Sequence, residues 1–166
     1  MGAPCELYLV RHAIAAERGE KYPDDAKRPL TSHGIERMRQ VVKGFRTLDP
    51  DINLILTSPL IRARQTADIL LAGLSPSPDL SVEDTLAPGH RPEAVADALG
   101  AHAAHEVVAL VGHEPDLGIL AAWLIAAREP LVFKKGAIAR IDVSGKPGRD
   151  GQLVWLATPR MLRGLA

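Results

Sequence analysis

Three observations predict an α/β fold in which a mostly parallel sheet is covered by helices. Apolar runs of strand length alternate along the chain with segments of helical periodicity, the pattern of βα units. Two of those runs, Leu7-Tyr8-Leu9-Val10 and Val107-Val108-Ala109-Leu110-Val111, are apolar on both alternating faces, as strands buried under helices on each side must be. The strand-like runs also stop on polar groups: Arg11-His12 follows the first and Gly112-His113 the second. A third run, Leu54-Ile55-Leu56, leaves through Thr57-Ser58-Pro59 and delivers Arg62 in the next turn. Ligands of open parallel sheets bind beyond the carboxyl ends of the strands. This edge is therefore expected to gather two imidazoles and two guanidiniums, a set suited to phosphate.

The first strand is placed at residues 6 to 11. Glu17 to Arg28 is polar without an apolar period and reads as a loop near the site entrance. From Ser32, apolar residues at Ile35, Met38, Val41, Phe45 and Leu48 keep helical spacing, which predicts a helix with one face on the sheet. Asn53 to Thr57 reads as a short strand. Ser58 and Pro59 then read as the cap and first residue of a helix ending near Gly73. Leu74 to Pro78 reads as a loop, Pro92 to Ala104 as a helix and Val107 to Val111 as a buried strand. Asp116 is expected to cap a helix running through Ala127. Ala137 to Val143 alternates strictly, the mark of a strand with one wet face. Ser144 to Gly151 is rich in turn residues and leads to a last strand near Gln152 to Ala157, where Leu153, Val154, Trp155 and Leu156 predict core bulk.

With 166 residues and 46% hydrophobic content, the chain can fill one core and falls short of two ordinary domains, so residues 1–166 are expected to form a single domain. Twenty Lys+Arg match twenty Asp+Glu. That balance argues against nucleic acid or an anionic membrane surface as partner and leaves room for a local basic pocket. Cys5 is the only cysteine, which excludes an internal disulfide and a Cys-rich metal site and fits a reducing compartment. No basic region with a signal-type apolar run opens the chain, and Arg11 interrupts the first hydrophobic stretch, so the expected location is cytoplasmic.

Four segments carry a family resemblance: Leu9-Val10-Arg11-His12-Ala13, Arg28-Pro29-Leu30-Thr31, Thr57-Ser58-Pro59-Leu60-Ile61-Arg62-Ala63-Arg64-Gln65-Thr66-Ala67 and Val111-Gly112-His113. In this order they resemble the histidine phosphatase superfamily, which implies the phosphoglycerate mutase-like fold, a three-layer sandwich. Within it, the short length, Ala13 in place of the commoner glycine and the segment Leu86-Ala87-Pro88-Gly89 resemble the small SixA-type phosphohistidine phosphatases. The resemblance implies Arg11 and Arg62 as phosphate clamps, His113 as a second imidazole stabilising the transferring group, and a metal-independent phosphatase without cofactor.

The chemistry also follows from the residue types. A phosphoryl group spreads its charge over several oxygens and needs cations that do not titrate away; the planar guanidinium fork of arginine binds two of them at once. His12, neutral near physiological pH, can attack phosphorus and carry it as a covalent phosphohistidine that water then hydrolyses. Its other ring nitrogen should donate to a backbone carbonyl, and a protonated His113 would add positive charge beside the phosphoryl oxygens.

Plainer roles compete with these. An isolated Arg-His pair after a strand is usually a solvated strand end, and a lone buried histidine such as His113 is usually structural. Arginine in a first helical turn opposes the helix dipole, so the place of Arg62 favours an anion partner. Arg64 faces elsewhere, and His33, His90, His102 and His105 read as surface residues. Arg28 either reaches phosphate or substrate, or pairs with Asp24 or Asp25.

One departure from the family is informative. Many members carry an acid shortly after a leucine before the last motif, and here Leu86-Ala87-Pro88 places proline there. An alkoxide leaving group needs that proton, whereas imidazole leaving phosphohistidine needs it less. Glu83, Asp84 and His90 are candidate substitutes. The expected activity is hydrolysis of phosphohistidine on a phosphotransfer-type protein, a signal-transduction role. Only modest loops separate the motifs, and the open pocket this implies suits a protein substrate. The alternatives are a phosphomonoesterase acting on a small metabolite, nucleotide or sugar phosphate, and a catalytically silent phosphate-binding module. A metal hydrolase is disfavoured because Arg11 and Arg62 would repel a cation and helical i, i+4 histidine pairs are absent. An exposed strand edge offers a dimer contact that the sequence does not decide.

Overall fold

Six strands build one sheet in the computed structural model, which describes residues 6–166 and leaves Cys5 outside. They are β1 (Glu6–Arg11), β2 (Leu54–Thr57), β3 (Asp79–Val82), β4 (Val107–Gly112), β5 (Ile138–Asp142) and β6 (Gln152–Ala157), in the spatial order β3-β2-β4-β1-β5-β6. β1, β2, β3 and β4 pair in parallel; β5 runs antiparallel to β1, and β6 antiparallel to β5. β5 alone therefore opposes the common direction, and β1, β2 and β4 end at the same edge.

Five helices cover the sheet: α1 (Ser32–Phe45), α2 (Ile61–Gly73), α3 (Pro92–Gly100), α4 (Asp116–Leu124) and α5 (Pro159–Arg163). The period-two alternation of β1 divides its side chains between two cores. Tyr8 and Val10 pack with Met38, Phe45, Leu70 and Leu162 from α1, α2 and α5. Leu7 and Leu9 pack with Val95, Leu99, Leu120 and Leu124 from α3 and α4. The result is the three-layer arrangement with a mostly parallel sheet. Each fully buried leucine contributes roughly 1.5–3 kcal/mol through removal of apolar area from water. Phe45 packs edge-on against both Tyr8, at 5.4 Å between centroids, and Trp155, at 6.2 Å, which joins α1 to the β6 edge.

Several boundaries differ from the expectation. α2 starts at Ile61, with Leu60 as a cap that makes no side-chain hydrogen bond. Pro59 lies before the helix, and the Ser58 hydroxyl accepts from the Leu60 amide at 3.2 Å. α3 stops at Gly100, and α4 stops at Leu124, with Ala126 in the left-handed region at φ 54°. Asp116 does not cap α4 but is its first residue, and its carboxylate accepts from the Gly89 amide at 2.8 Å. β3 and α5 had no sequence signal strong enough to place them: β3 is a four-residue edge strand, and α5 is five residues long, started by Thr158 and Pro159. Leu153 and Val154 are exposed rather than core residues because β6 is also an edge. No helix among the described residues is long and apolar enough to cross a membrane.

Candidate active site at the carboxyl edge of the sheet

β1 and β4 run in register, Arg11 opposite Gly112, so His12 and His113 leave the sheet side by side. Their ring centroids are 5.2 Å apart. His12 is held in place by backbone on two sides: its amide donates to the Gly112 carbonyl at 3.0 Å, and its carbonyl accepts from the Gly136 amide at 3.1 Å. Gly136 has φ +84°, a conformation that glycine reaches without steric cost. Gly34, in the first turn of α1, sits so close to the chain after His12 that a Cβ there would run into the Ile14 carbonyl. α2 completes the support, because Thr66 accepts from the Ala13 amide at 3.0 Å and donates to the Arg62 carbonyl at 2.7 Å.

The His12 Nδ1 lies 2.7 Å from the carbonyl of Ala13. A carbonyl can only accept, so Nδ1 carries the proton and Nε2 keeps its lone pair. The His113 Nε2 lies 2.7 Å from the Ser58 hydroxyl, while its buried Nδ1 has no partner. Burial lowers both imidazole pKa values, with the surrounding guanidiniums adding to the effect, to about 4 for His12 and about 3 for His113; the Ala13 hydrogen bond opposes the shift at His12. Both rings are therefore neutral near pH 7 in the phosphate-free site, and the expected protonated His113 concerns the ring beside a bound phosphoryl group.

Arg62 is 3% exposed. Its Nη1 donates to the Asp25 carbonyl at 2.8 Å and its Nη2 to the Asp25 carboxylate at 3.0 Å, while its buried Nε has no partner. Arg28 joins the same carboxylate through Nε at 2.8 Å and the Ala16 carbonyl through Nη1 at 2.6 Å. Of its two expected roles, the structure brings Arg28 to the acidic pairing, with Asp25 and not Asp24. Arg18 adds a third cation at 3.2 Å. Burial raises the Asp25 pKa, but Arg28 and Arg62 outweigh it and hold the carboxyl below its ordinary range. Arg11 is held differently: its Nη1 donates to the Phe133 carbonyl at 2.7 Å, and its Nε is buried without a partner. Glu114 fixes that carbonyl's loop, since its carboxylate accepts from the Gly118 amide at 2.8 Å and the Phe133 amide at 3.4 Å.

The edge thus brings together His12, His113, Arg11 and Arg62, with Arg28 behind Asp25. Arg64, His33 and His90 are exposed, and His102 and His105 lie half-buried on the far side, where His105 faces Asp79 at 3.7 Å. Glu83 accepts from the amide and hydroxyl of Thr85, and Pro88 is exposed. His90 lines a small cleft together with His113 and Asp116. Ser58, Thr66 and Glu114 were missed as supports, and Asp25, read only as a candidate partner of Arg28, was missed as the partner of Arg62. Ser58 and Thr66 lie inside a quoted motif, but nothing in spacing marks them as partners of an imidazole or an amide. No group of three or more His, Cys, Asp or Glu among the described residues could hold a metal ion.

Residues 7–87 match the histidine phosphatase superfamily (branch 1). An uncharacterized protein of Picosynechococcus sp. is 43% identical over 95% of this chain and 98% of that protein. Phosphohistidine phosphatase SixA of Escherichia coli is 28% identical over 95% of this chain and 96% of that protein. The solved structure of the protein histidine phosphatase SixA complexed with tungstate superposes with a TM-score of 0.83 at 26% identity, covering 93% of this chain and 97% of that one. An α-ribazole-5′-phosphate phosphatase structure from Escherichia coli shares the fold at 18% identity and a TM-score of 0.72, covering 95% and 98%. The chain belongs to the histidine phosphatase superfamily, and it is a phosphatase similar to the SixA-type members of that family.

Proposed function

We propose that this protein hydrolyses phosphohistidine on a protein substrate, with His12 as nucleophile and Arg11, Arg62 and His113 around the transferring phosphoryl group. The observation that carries the mechanism is the Nδ1 hydrogen bond from His12 to the Ala13 carbonyl, which leaves Nε2 as the free nucleophile near the buried Arg62 and the half-buried Arg11. In the first step the substrate ring, already protonated from solvent on its other nitrogen, leaves as neutral imidazole: the Nε2 lone pair of His12 forms a bond to phosphorus while the substrate N–P bond breaks and its electron pair returns to the departing nitrogen. In the second step water attacks phosphorus, the Nε2–P bond breaks, and phosphate departs. The unpartnered Nε–H groups of Arg11 and Arg62 are available to phosphoryl oxygens, where fixed donors count most as charge develops. A bound phosphoryl group would also raise the pKa of His113 by supplying negative charge next to its ring. Arg28 acts one step back, sharing the Asp25 carboxylate that orients Arg62.

Two observations support phosphohistidine over a phosphoester. The segment Leu86-Ala87-Pro88-Gly89 offers no carboxylate, and the nearby Glu83 carboxylate already accepts from Thr85. The similarity to SixA points the same way. We place the protein in the cytoplasm, acting without a metal in phosphohistidine signalling. The test is phosphate release in EDTA from a phosphohistidine-bearing protein and from a panel of small phosphoesters, with His12→Ala as control. Preference for phosphohistidine, lost in the variant, is expected. Faster turnover of a phosphoester would move the activity to a small metabolite, and release that survives His12→Ala would remove the nucleophile.

A further inference from the structure

Beside the catalytic edge, a cleft of about 840 Å³ opens between α1, the 134–136 turn and the start of α5. Arg11, Arg37, Lys134, Lys135, Arg160 and Arg163 line it, and no Asp or Glu does. In a chain whose charges balance, this is a strong local segregation. None of the six forms an ion pair among the described residues, whereas Arg18, Arg28, Arg62 and Arg140 all do. The Nε atom of Arg163 is buried without a hydrogen-bond partner, a state that buried donors rarely keep unless a ligand completes it.

The wall also says which anion fits. It holds no aromatic side chain on which a nucleobase could stack, and the hydroxyl of Thr158, its one neutral polar side chain, already accepts from the Met161 amide. The cations come from four separate segments, β1, α1, the 134–136 turn and α5, and are spread over the cleft, which suits several carboxylates along a chain better than one compact group. Ala13 lies in the wall, directly after His12, so a protein presenting a phosphoryl group to His12 would continue into this cleft.

We propose that the cleft docks an acidic segment of the phosphoprotein substrate, seating Asp or Glu side chains that flank the phosphohistidine; the proposal rests on the phosphohistidine reading above. Lys134, Lys135 and Arg160 are exposed and outside the catalytic set, so Lys134→Gln/Lys135→Gln/Arg160→Gln can be made without opening the core. Fluorescence anisotropy would compare two unphosphorylated peptides of equal length, one rich in Asp and Glu and one with Asn and Gln in their place, with tripolyphosphate as competitor. The acidic peptide is expected to bind about tenfold tighter, with a preference that weakens as salt rises and disappears in the triple variant. Turnover of free phosphoramidate by that variant should stay unchanged. Equal affinity for the two peptides, or a preference that survives the triple variant, would overturn the proposal, as would tripolyphosphate binding the cleft while the acidic peptide does not. The same flanks placed around phosphohistidine separate the two readings. No turnover of either peptide would remove the phosphohistidine activity, whereas turnover of both with equal kcat/KM would remove the docking role alone.

Discussion

Arg62 and Arg11 frame the same imidazole pair from opposite sides, and they are held in opposite ways. On the Arg62 side one carboxylate, Asp25, gathers Arg18, Arg28 and Arg62. On the Arg11 side the guanidinium donates to a neutral backbone carbonyl, that of Phe133, with Glu114 nearby but in no ion pair with it among the described residues, and the neighbouring cleft collects five further cations with no Asp or Glu in its lining. The difference separates two tasks. A guanidinium locked to a carboxylate is preorganised, so its position needs no adjustment when the phosphoryl group arrives. Cations left unpaired retain their full field for a ligand, at the cost of mutual repulsion in the free protein.

The largest effect should come from Arg62→Ala, which removes the buried cation of the locked side. Hydrolysis of phosphoramidate should fall about 10³-fold, read as kcat/KM in steady state. A fall of only a few-fold would mean that the unpaired side carries the phosphate alone. Asp25→Asn is the sharper version of the comparison. It keeps the shape and removes the charge that gathers the three arginines, so kcat/KM should fall about 10- to 100-fold through loss of orientation, with the folded structure retained by circular dichroism. Unchanged kinetics would show that Arg62 needs no lock.

Between the two sides, the imidazoles predict how acid acts. Their folded pKa values, about 4 and about 3, lie below the ordinary 6.5. Between these values the unfolded chain binds protons that the folded protein refuses, so this contribution is complete above about pH 6.5 and is lost as pH falls toward 4 and 3. The loss should reach the order of a few kcal/mol. Thermal unfolding from pH 7 to pH 4 should show a drop in Tm that flattens in His12→Asn/His113→Asn, and an equal slope in both proteins would contradict it. The acid limb of kcat/KM, which reports the free enzyme, should likewise lie near pH 4 instead of 6.5. The smallest effect is expected from Pro88→Glu. A carboxyl there should raise turnover of alkyl phosphates by about tenfold or less, since general acid catalysis is then available but not yet well placed; no gain would remove the support that the missing acid lends to phosphohistidine.

What could be read in the sequence was what is local. Arg11-His12, Ser58 to Arg62 and Gly112-His113 each sit within a residue or a turn of a strand end, so the sheet itself aims them. The reasons these side chains stay aimed are long-range. Asp25 meets Arg62 across 37 positions and Phe133 meets Arg11 across 122, and no periodicity records either contact. The edge elements were lost for a related reason: β3, unlike the equally short but fully buried β2, has no apolar run, and α5, at five residues, is too short for a period to be recognised. The exposure of Leu153 and Val154 follows from the edge position of β6, which composition does not reveal. The basic cleft was invisible because its cations come from residues 11, 37, 134, 135, 160 and 163, each unremarkable in its own segment.

In the proposed mechanism His12 attacks through Nε2 because the Ala13 carbonyl holds its Nδ1 proton. Rapid quenching of the protein with a phosphohistidine peptide, followed by 31P and 15N NMR of the trapped intermediate, tests it directly. A phosphoryl group on Nε2 of His12 is expected. A phosphoryl group on Nδ1 or on another residue, or full turnover with no phosphoenzyme, would contradict it.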